Sequence, residues 1–211
     1  MTVLMVIGAT GMVGKAALEQ ALGDARVTRV VAPTRRALAV EAPGKLHTPV
    51  VDFDALPAEA DWWKVDGVVC ALGTTMRRAG SKEAFRKVDH DYPLAVARLA
   101  HAHGARAFAH CSSVGASAKG SSFYLRTKGE VEDALRALGF ESLTIARPSF
   151  LDGDREESRP MEALGIGFFK VVAPLVPRRY RVVDASRVAR ALVEGAIAAP
   201  PGTRVMESEL L

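Results

Sequence analysis

Apolar residues fall along the chain in short β-branched runs, with amphipathic stretches of roughly ten to fifteen residues between them. That alternation predicts βαβ units around a parallel sheet. The strand candidates are Val3 to Gly8, Val27 to Ala32, Thr48 to Val51, Gly67 to Ala71, Ala107 to Cys111 and Leu143 to Ala146. Most are continuously apolar, as strands covered on both faces should be. Between them, Met12 to Leu22 carries Val13, Ala16, Ala17, Ala21 and Leu22 at helical spacing and runs into Gly23, expected as its C-terminal cap. Tyr92 to Ala102 and Lys128 to Leu138 repeat the pattern, and Asp184 to Ala199 is the last predicted helix, with Val188, Ala189, Leu192, Val193 and Ala196 on one stripe.

One stretch resists this scheme. From residue 152 to 181 a charged run, Asp154 to Arg159, precedes the apolar run Ala163 to Val176. We expect it to form a small lobe over the carboxyl ends of the strands within a single domain spanning 1–211. An interfacial helix bearing Phe168, Phe169, Val171 and Val172 is the alternative reading.

Composition narrows the class. Of 211 residues, 49% are apolar and 25% charged, and the 18 Gly and 11 Pro are spread along the chain, which excludes disordered, collagenous and low-complexity readings. No apolar run reaches the roughly 18 uncharged residues of a spanning helix, and the chain enters its first strand without a basic leader, so a cytoplasmic location is expected. The net charge of +4 suits an anionic ligand. Its basic residues occur in pairs such as Arg77-Arg78 and Arg178-Arg179 without an aromatic stripe, which argues against nucleic acid. Cys70 and Cys111 read as buried free thiols, and His47, His90, His101, His103 and His110 read as surface or helix-end residues with no metal-ligand constellation. Trp62-Trp63 reads as packing at the sheet edge, and a homo-oligomer is compatible with the pattern.

The chemistry begins where the first strand runs into Gly8-Ala9-Thr10-Gly11-Met12-Val13-Gly14 and then directly into a helix. Glycines there permit a tight turn and let backbone approach a pyrophosphate, while the helix N-terminus offers free N–H groups to the anion. The expectation is a dinucleotide. Choice of NAD calls for an acidic residue at the end of the second strand. Here that place reads Ala32-Pro33-Thr34-Arg35-Arg36, and the two guanidiniums can grip a 2′-phosphate, favouring NADP(H) over NAD(H). Asp52-Phe53 closes the third predicted strand, where a carboxylate can accept from the adenine amino group. Gly73 and Thr74 follow the fourth strand, near the expected nicotinamide, with Arg77 and Arg78 beyond them as loop charges.

After the fifth strand stands Ser112-Ser113, and farther on Tyr124 and Lys128 form Tyr-x-x-x-Lys, which shares one face of a helix. A phenol with a reference pKa of about 10 exchanges protons at neutral pH only with a cation to stabilise its phenolate. Lys128 is that cation, and Ser113 is placed to hold a carbonyl or alcohol oxygen.

With these motifs in view, the chain resembles the atypical short-chain dehydrogenase/reductases and, within them, the Tat-interacting-protein-like oxidoreductases. The resemblance covers nearly the whole chain. It rests on the glycine turn, Arg35-Arg36, Val51-Asp52-Phe53, Cys70 through Thr75, Val88-Asp89-His90-Asp91-Tyr92 and Ser112-Ser113. Most specific are Tyr124 through Glu132 and Arg147-Pro148-Ser149-Phe150-Leu151 through Arg155 to Pro160. It implies a Rossmann-type doubly wound α/β fold binding NADPH, with Ser113, Tyr124 and Lys128 as the catalytic set. The implied cofactor contacts are Gly8, Thr10, Gly11, Met12, Val13, Gly14, Arg35, Arg36, Asp52, Phe53, Leu72, Gly73, Thr74, Lys128 and Pro148. Two departures stand out: Asp89 occupies the place of a relay asparagine, and Ser149 replaces the glycine usual after Arg-Pro. A weakened or altered relay is expected. The resulting readings are an NADPH-dependent oxidoreductase acting on a small carbonyl or alcohol and, as the alternative, an NADPH-binding regulatory protein with little or no catalysis.

Overall fold

Strand β1 (Thr2–Ile7) sends Leu4 and Val6 to one face of a sheet and Met5 and Ile7 to the other, and all four are fully buried. With no face left to water, the run has no reason to alternate. The computed structural model describes residues 1–40, 42–152 and 177–211, with the backbone alone at 152 and 178. Strands β2 (Val27–Val31), β3 (Leu46–His47), β4 (Gly67–Cys70), β5 (Ala107–Cys111) and β6 (Ser142–Arg147) follow, then β7 (Leu151–Asp152), β8 (Val183–Asp184) and β9 (Gly202–Glu207). Seven of them form one sheet in the order β3-β2-β1-β4-β5-β6-β9, with every neighbouring pair parallel. β7 and β8 pair separately. The winding reverses between β1 and β4, and that switch point opens the crevice in which such sheets bind ligands.

Helices cover both faces. Helix α1 (Met12–Gly23) and the last helix, α6 (Ala185–Ala198), bury Val13, Ala17, Ala21, Val188 and Leu192 against Leu4, Val6, Val69 and Ala109. On the other face α4 (Tyr92–Ala102) and α5 (Phe123–Ala137) bury Val96, Ala97, Val131 and Leu135 against Met5, Ile7, Val68 and Phe108. Truncating Leu135 or Leu192 to alanine removes enough contact to cost about 2–5 kcal/mol. Before α4 come two short helices, α2 (Met76–Ala79) and α3 (Lys82–Arg86), and a π turn over Lys87–Asp91.

The α/β fold and parallel sheet are as expected, with local differences. The third strand lies at Leu46–His47 rather than Thr48 to Val51, because Pro49 has no N–H for the ladder; beyond it only a Thr34–Val50 bridge continues the pairing. Strand β9 has no counterpart among the expected strands, for as an edge strand it leaves Gly202, Thr203 and Arg204 exposed and lacks an apolar run. Helix α5 starts five residues before Lys128, at Phe123, since Phe123 and Tyr124 pack on Phe85 of α3, a contact no local periodicity reveals. Gly23 is the last residue of α1 rather than its cap; Lys45 Nζ instead takes the Leu22 and Asp24 carbonyls at 2.7 and 2.9 Å.

His110 is not at a surface or a helix end. It lies fully buried on β5, continuing the inward alternation of Phe108, and neither ring nitrogen has a hydrogen-bond partner. Both cysteines are free thiols, but only Cys70 is fully buried, Cys111 being half-buried at the end of β5. Trp63 is buried, its Nε1 donating to the Pro57 carbonyl at 2.8 Å. No helix among the described residues is long and apolar enough to cross a membrane. The expected lobe lies largely outside the described residues, as do Arg155 to Pro160 and Phe168 to Val172.

Candidate functional site

The glycine turn crosses the end of β1 at close quarters. Gly8 takes φ +84°, and a Cβ there would stand 2.6 Å from the Ala71 carbonyl oxygen. At Gly14 a Cβ would meet the Gly8 carbonyl oxygen at 2.0 Å, so α1 can lie on the turn only without a side chain at that position. Gly11 N–H closes the turn onto the Gly8 carbonyl at 2.9 Å. Gly11 is also the N-cap of α1; it has no side chain to occupy the helix's free N–H groups, and no acidic residue stands in the first turn. Thr10 and Gly11 are exposed. The result is a positive helix end open to an anion, as a pyrophosphate requires. Val13 is buried in the core, so only its backbone faces the turn.

At the end of β2, buried Thr34 fixes the loop that carries the arginines. Its hydroxyl donates to the Arg36 carbonyl at 2.6 Å, and its backbone pairs with Pro49 and Val51. Arg35 and Arg36 themselves are exposed. Thr34 was legible only as the residue between strand and arginines. Asp52 is exposed, one oxygen accepting from the Asp54 N–H. Phe53 is buried and packs on Tyr92 at 5.4 Å between ring centres, so its ring belongs to the core. Pro148 is buried, and its carbonyl accepts from the Val114 N–H at 2.9 Å.

Around β4 and β5 the structure brings Gly73, Thr74, Asp89 and Lys128 together. Leu72, Gly73 and Thr74 follow β4, and Thr74 N–H donates to Asp89 Oδ2 at 2.8 Å. The other oxygen of Asp89 lies 2.8 Å from Lys128 Nζ, with both side chains almost wholly buried. Burial works against the ammonium, but the charges of Asp89 and then Tyr124 more than offset it and hold Lys128 above the ordinary lysine value. Tyr124 stands one turn before Lys128, half-buried, its ring 5.3 Å from that of Phe85. An Arg86–Glu130 ion pair also ties α3 to α5.

Ser113 and Ser112 part ways. Ser112 is buried, and its hydroxyl donates to Glu132 Oε1 at 2.5 Å, whereas Ser113 lies in the half-buried loop beyond the strand with no hydrogen bond to its hydroxyl among the described residues. That loop is held to α5. Ser117 N–H donates to the Leu125 carbonyl at 3.1 Å, and Gly129 leaves room where a Cβ would come within 2.1 Å of Ala118 N. Gly129 thus lets the serine loop lie against the helix that carries Tyr124 and Lys128, a role the sequence reading missed. A second unforeseen residue is Glu132, fully buried, which accepts from Ser112, from Arg147 twice and from Arg136. These bonds hold Arg147 above the ordinary arginine value and tie the ends of β5 and β6 to α5.

Comparison with known proteins bears on the family and the fold. The profile of a family described as NAD(P)H-binding matches residues 8–196. Protein HTATIP2 of Rattus norvegicus is 38% identical over 207 residues, covering 97% of this chain and 84% of that protein. The mitochondrial protein fmp52 of Emericella nidulans is 39% identical over 165 residues, 75% of this chain and 71% of that one. Among solved structures, MoeE5 in complex with UDP-glucose and NAD superposes with a TM-score of 0.72 at 19% identity, over 97% of this chain and 74% of that one. A UDP-N-acetylglucosamine 4-epimerase from Bacillus cereus gives 0.67 at 16% identity, over 98% and 78%. Those two likenesses are of fold alone.

Proposed function

The chain belongs to the NAD(P)H-binding family, and on that premise we propose that it is an NADPH-dependent reductase of a small carbonyl compound, of the short-chain dehydrogenase/reductase kind. The observation that carries this reading is the buried Lys128, paired with Asp89 under the Gly73–Thr74 turn and one helical turn from Tyr124. The glycine turn and the open end of α1 would hold the pyrophosphate, and Gly73, Thr74 and Lys128 the nicotinamide end. When bound, the cofactor supplies a hydride to the substrate's carbonyl carbon. Tyr124 gives its phenolic proton to the carbonyl oxygen as that oxygen gains charge, and Ser113 donates a hydrogen bond to the same oxygen. Lys128 stabilises the phenolate left behind. Arg35 and Arg36 select NADPH through its 2′-phosphate, helped by the loop geometry that Thr34 imposes.

The test is Tyr124→Phe against a panel of aldehydes, ketones and quinones, followed by NADPH absorbance. Turnover should vanish while NADPH binding persists nearly unchanged. An unchanged rate would remove Tyr124 from the reaction. Tight NADPH binding by the wild type with no turnover of any substrate would favour a regulatory protein instead.

A further inference from the structure

A buried ammonium loses its hydration and persists only against a counter-charge. Most ionisable groups that face Lys128 supply none. On β4, burial pushes the Cys70 thiol up to about 12, and at the end of β5 burial pushes the Cys111 thiol up as well, so both stay uncharged at neutral pH. Also on β5, His110 is pushed down to about 3, first by burial and then by Lys128 itself, leaving a neutral ring. On α5, Tyr124 offers negative charge only as the phenolate, the state that a charged Lys128 is needed to favour. Among the described residues Asp89 alone pairs with the ammonium, at 2.8 Å. Its other oxygen holds Thr74 N–H, and a Cβ on Gly73 would stand 3.4 Å from Asp89 Oδ1 and 3.7 Å from Lys128 Nζ. The ion pair therefore lies directly against the turn that follows β4. Asp89 reaches it from a π turn, a helix distortion frequent at functional sites.

We propose that Asp89 is a positioning residue for the reductase reaction, keeping Lys128 charged and locked against the Gly73–Thr74 turn beside Tyr124. The proposal rests on the reductase reading. An asparagine at this position holds Thr74 through its amide oxygen but leaves the buried ammonium uncompensated. The aspartate is thus a counter-ion rather than a weakened relay residue.

The experiment is Asp89→Asn in the full chain, with the Lys128 side-chain signal followed by lysine-selective NMR and assigned from Lys128→Met. In the wild type that signal should hold steady to about pH 11, and in Asp89→Asn its titration should fall by roughly 1–3 pH units. In NADPH-oxidation assays the alkaline limb of kcat should move down by the same amount, with KM for NADPH changed less than about threefold. An Asp89→Asn titration identical to the wild type overturns the proposal, whatever the activity. The expected NMR shift in a protein that turns over no carbonyl keeps Asp89 as the counter-ion and removes the reductase reading. Should Asp89→Asn not fold, the double variant Asp89→Asn/Lys128→Met decides. Recovery of the fold supports a charge role, since both members of the pair are then neutral, and failure to recover overturns it.

Discussion

His110 makes the protein acid-sensitive in a way that can be worked out from its surroundings. Its imidazole is fully buried on β5 with no hydrogen-bond partner, and burial, followed by the nearby Lys128 charge, lowers its pKa from 6.5 to about 3. The unfolded chain, with an ordinary histidine, takes up a proton below about pH 6.5. The folded chain refuses it until about pH 3. Between those values the unfolded state binds more protons, so stability falls as pH falls. The slope approaches about 1.4 kcal/mol per pH unit once the unfolded histidine is fully protonated, so the loss between pH 6.5 and 4.5 is about 2 kcal/mol, a sizeable share of the 5–15 kcal/mol typical of a domain.

Replacing the ring by a side chain of similar bulk, His110→Leu, removes the titration and also the two unpartnered nitrogens. At pH 7.5 the variant should be as stable as the wild type or more so by about 1–2 kcal/mol, because no polar group at position 110 is then left buried without a bond. Urea midpoints at pH 7.5, 6.5, 5.5 and 4.5 should diverge steadily, the wild type losing stability that the variant keeps. Far-UV circular dichroism is the probe, since it follows the loss of helix and sheet directly. Asp24, held at about 2 chiefly by its hydrogen bonds to Arg26, also loses stabilising charge in acid, but below about pH 4 and equally in both proteins. Parallel stability curves for the two proteins across this range would refute the reasoning.

Three further outcomes can be measured. Changing Arg35 and Arg36 together to alanine should weaken NADPH roughly ten- to a hundredfold and leave NADH nearly unchanged by titration, with added salt eroding the wild-type preference. Equal binding of the two cofactors by the wild type would show that these arginines are surface charges. Gly14→Ala places a Cβ 2.0 Å from the Gly8 carbonyl oxygen, so calorimetry should show NADPH affinity reduced about tenfold or more and a lower melting temperature. Glu132→Gln leaves Arg147 with Glu207 as its remaining carboxylate and should cost about 3 kcal/mol in urea unfolding, as removal of one member of a buried ion-pair network does; an unchanged midpoint would mean that the cluster adds nothing to stability.

What could be read from the residues divides along a physical line. Central parallel strands are buried on both faces, so β1, β4 and β5 appear as predominantly apolar runs, and Gly14 is demanded by a backbone contact with Gly8, only six residues away in the chain. Strand β9 meets neither condition: it lies at the edge with its first half exposed, and its pairing with β6 is a contact between segments far apart in the chain. His110 and Ser112 are an intermediate case. Both continue the alternation set by Phe108, so their burial was legible by period two, and a histidine in an apolar strand could have been placed inside on that ground. Their partners were not legible, because Ser112 finds Glu132 on α5 and His110 finds none. The same distinction explains Asp89. Its position before an amphipathic helix could be read, but its burial depends on the π turn, and its charge acquires meaning only when α5 delivers Lys128 to within 2.8 Å. A residue's face can be inferred from its neighbours in the chain; the chemistry of a buried charge depends on which counter-charge the fold brings to it.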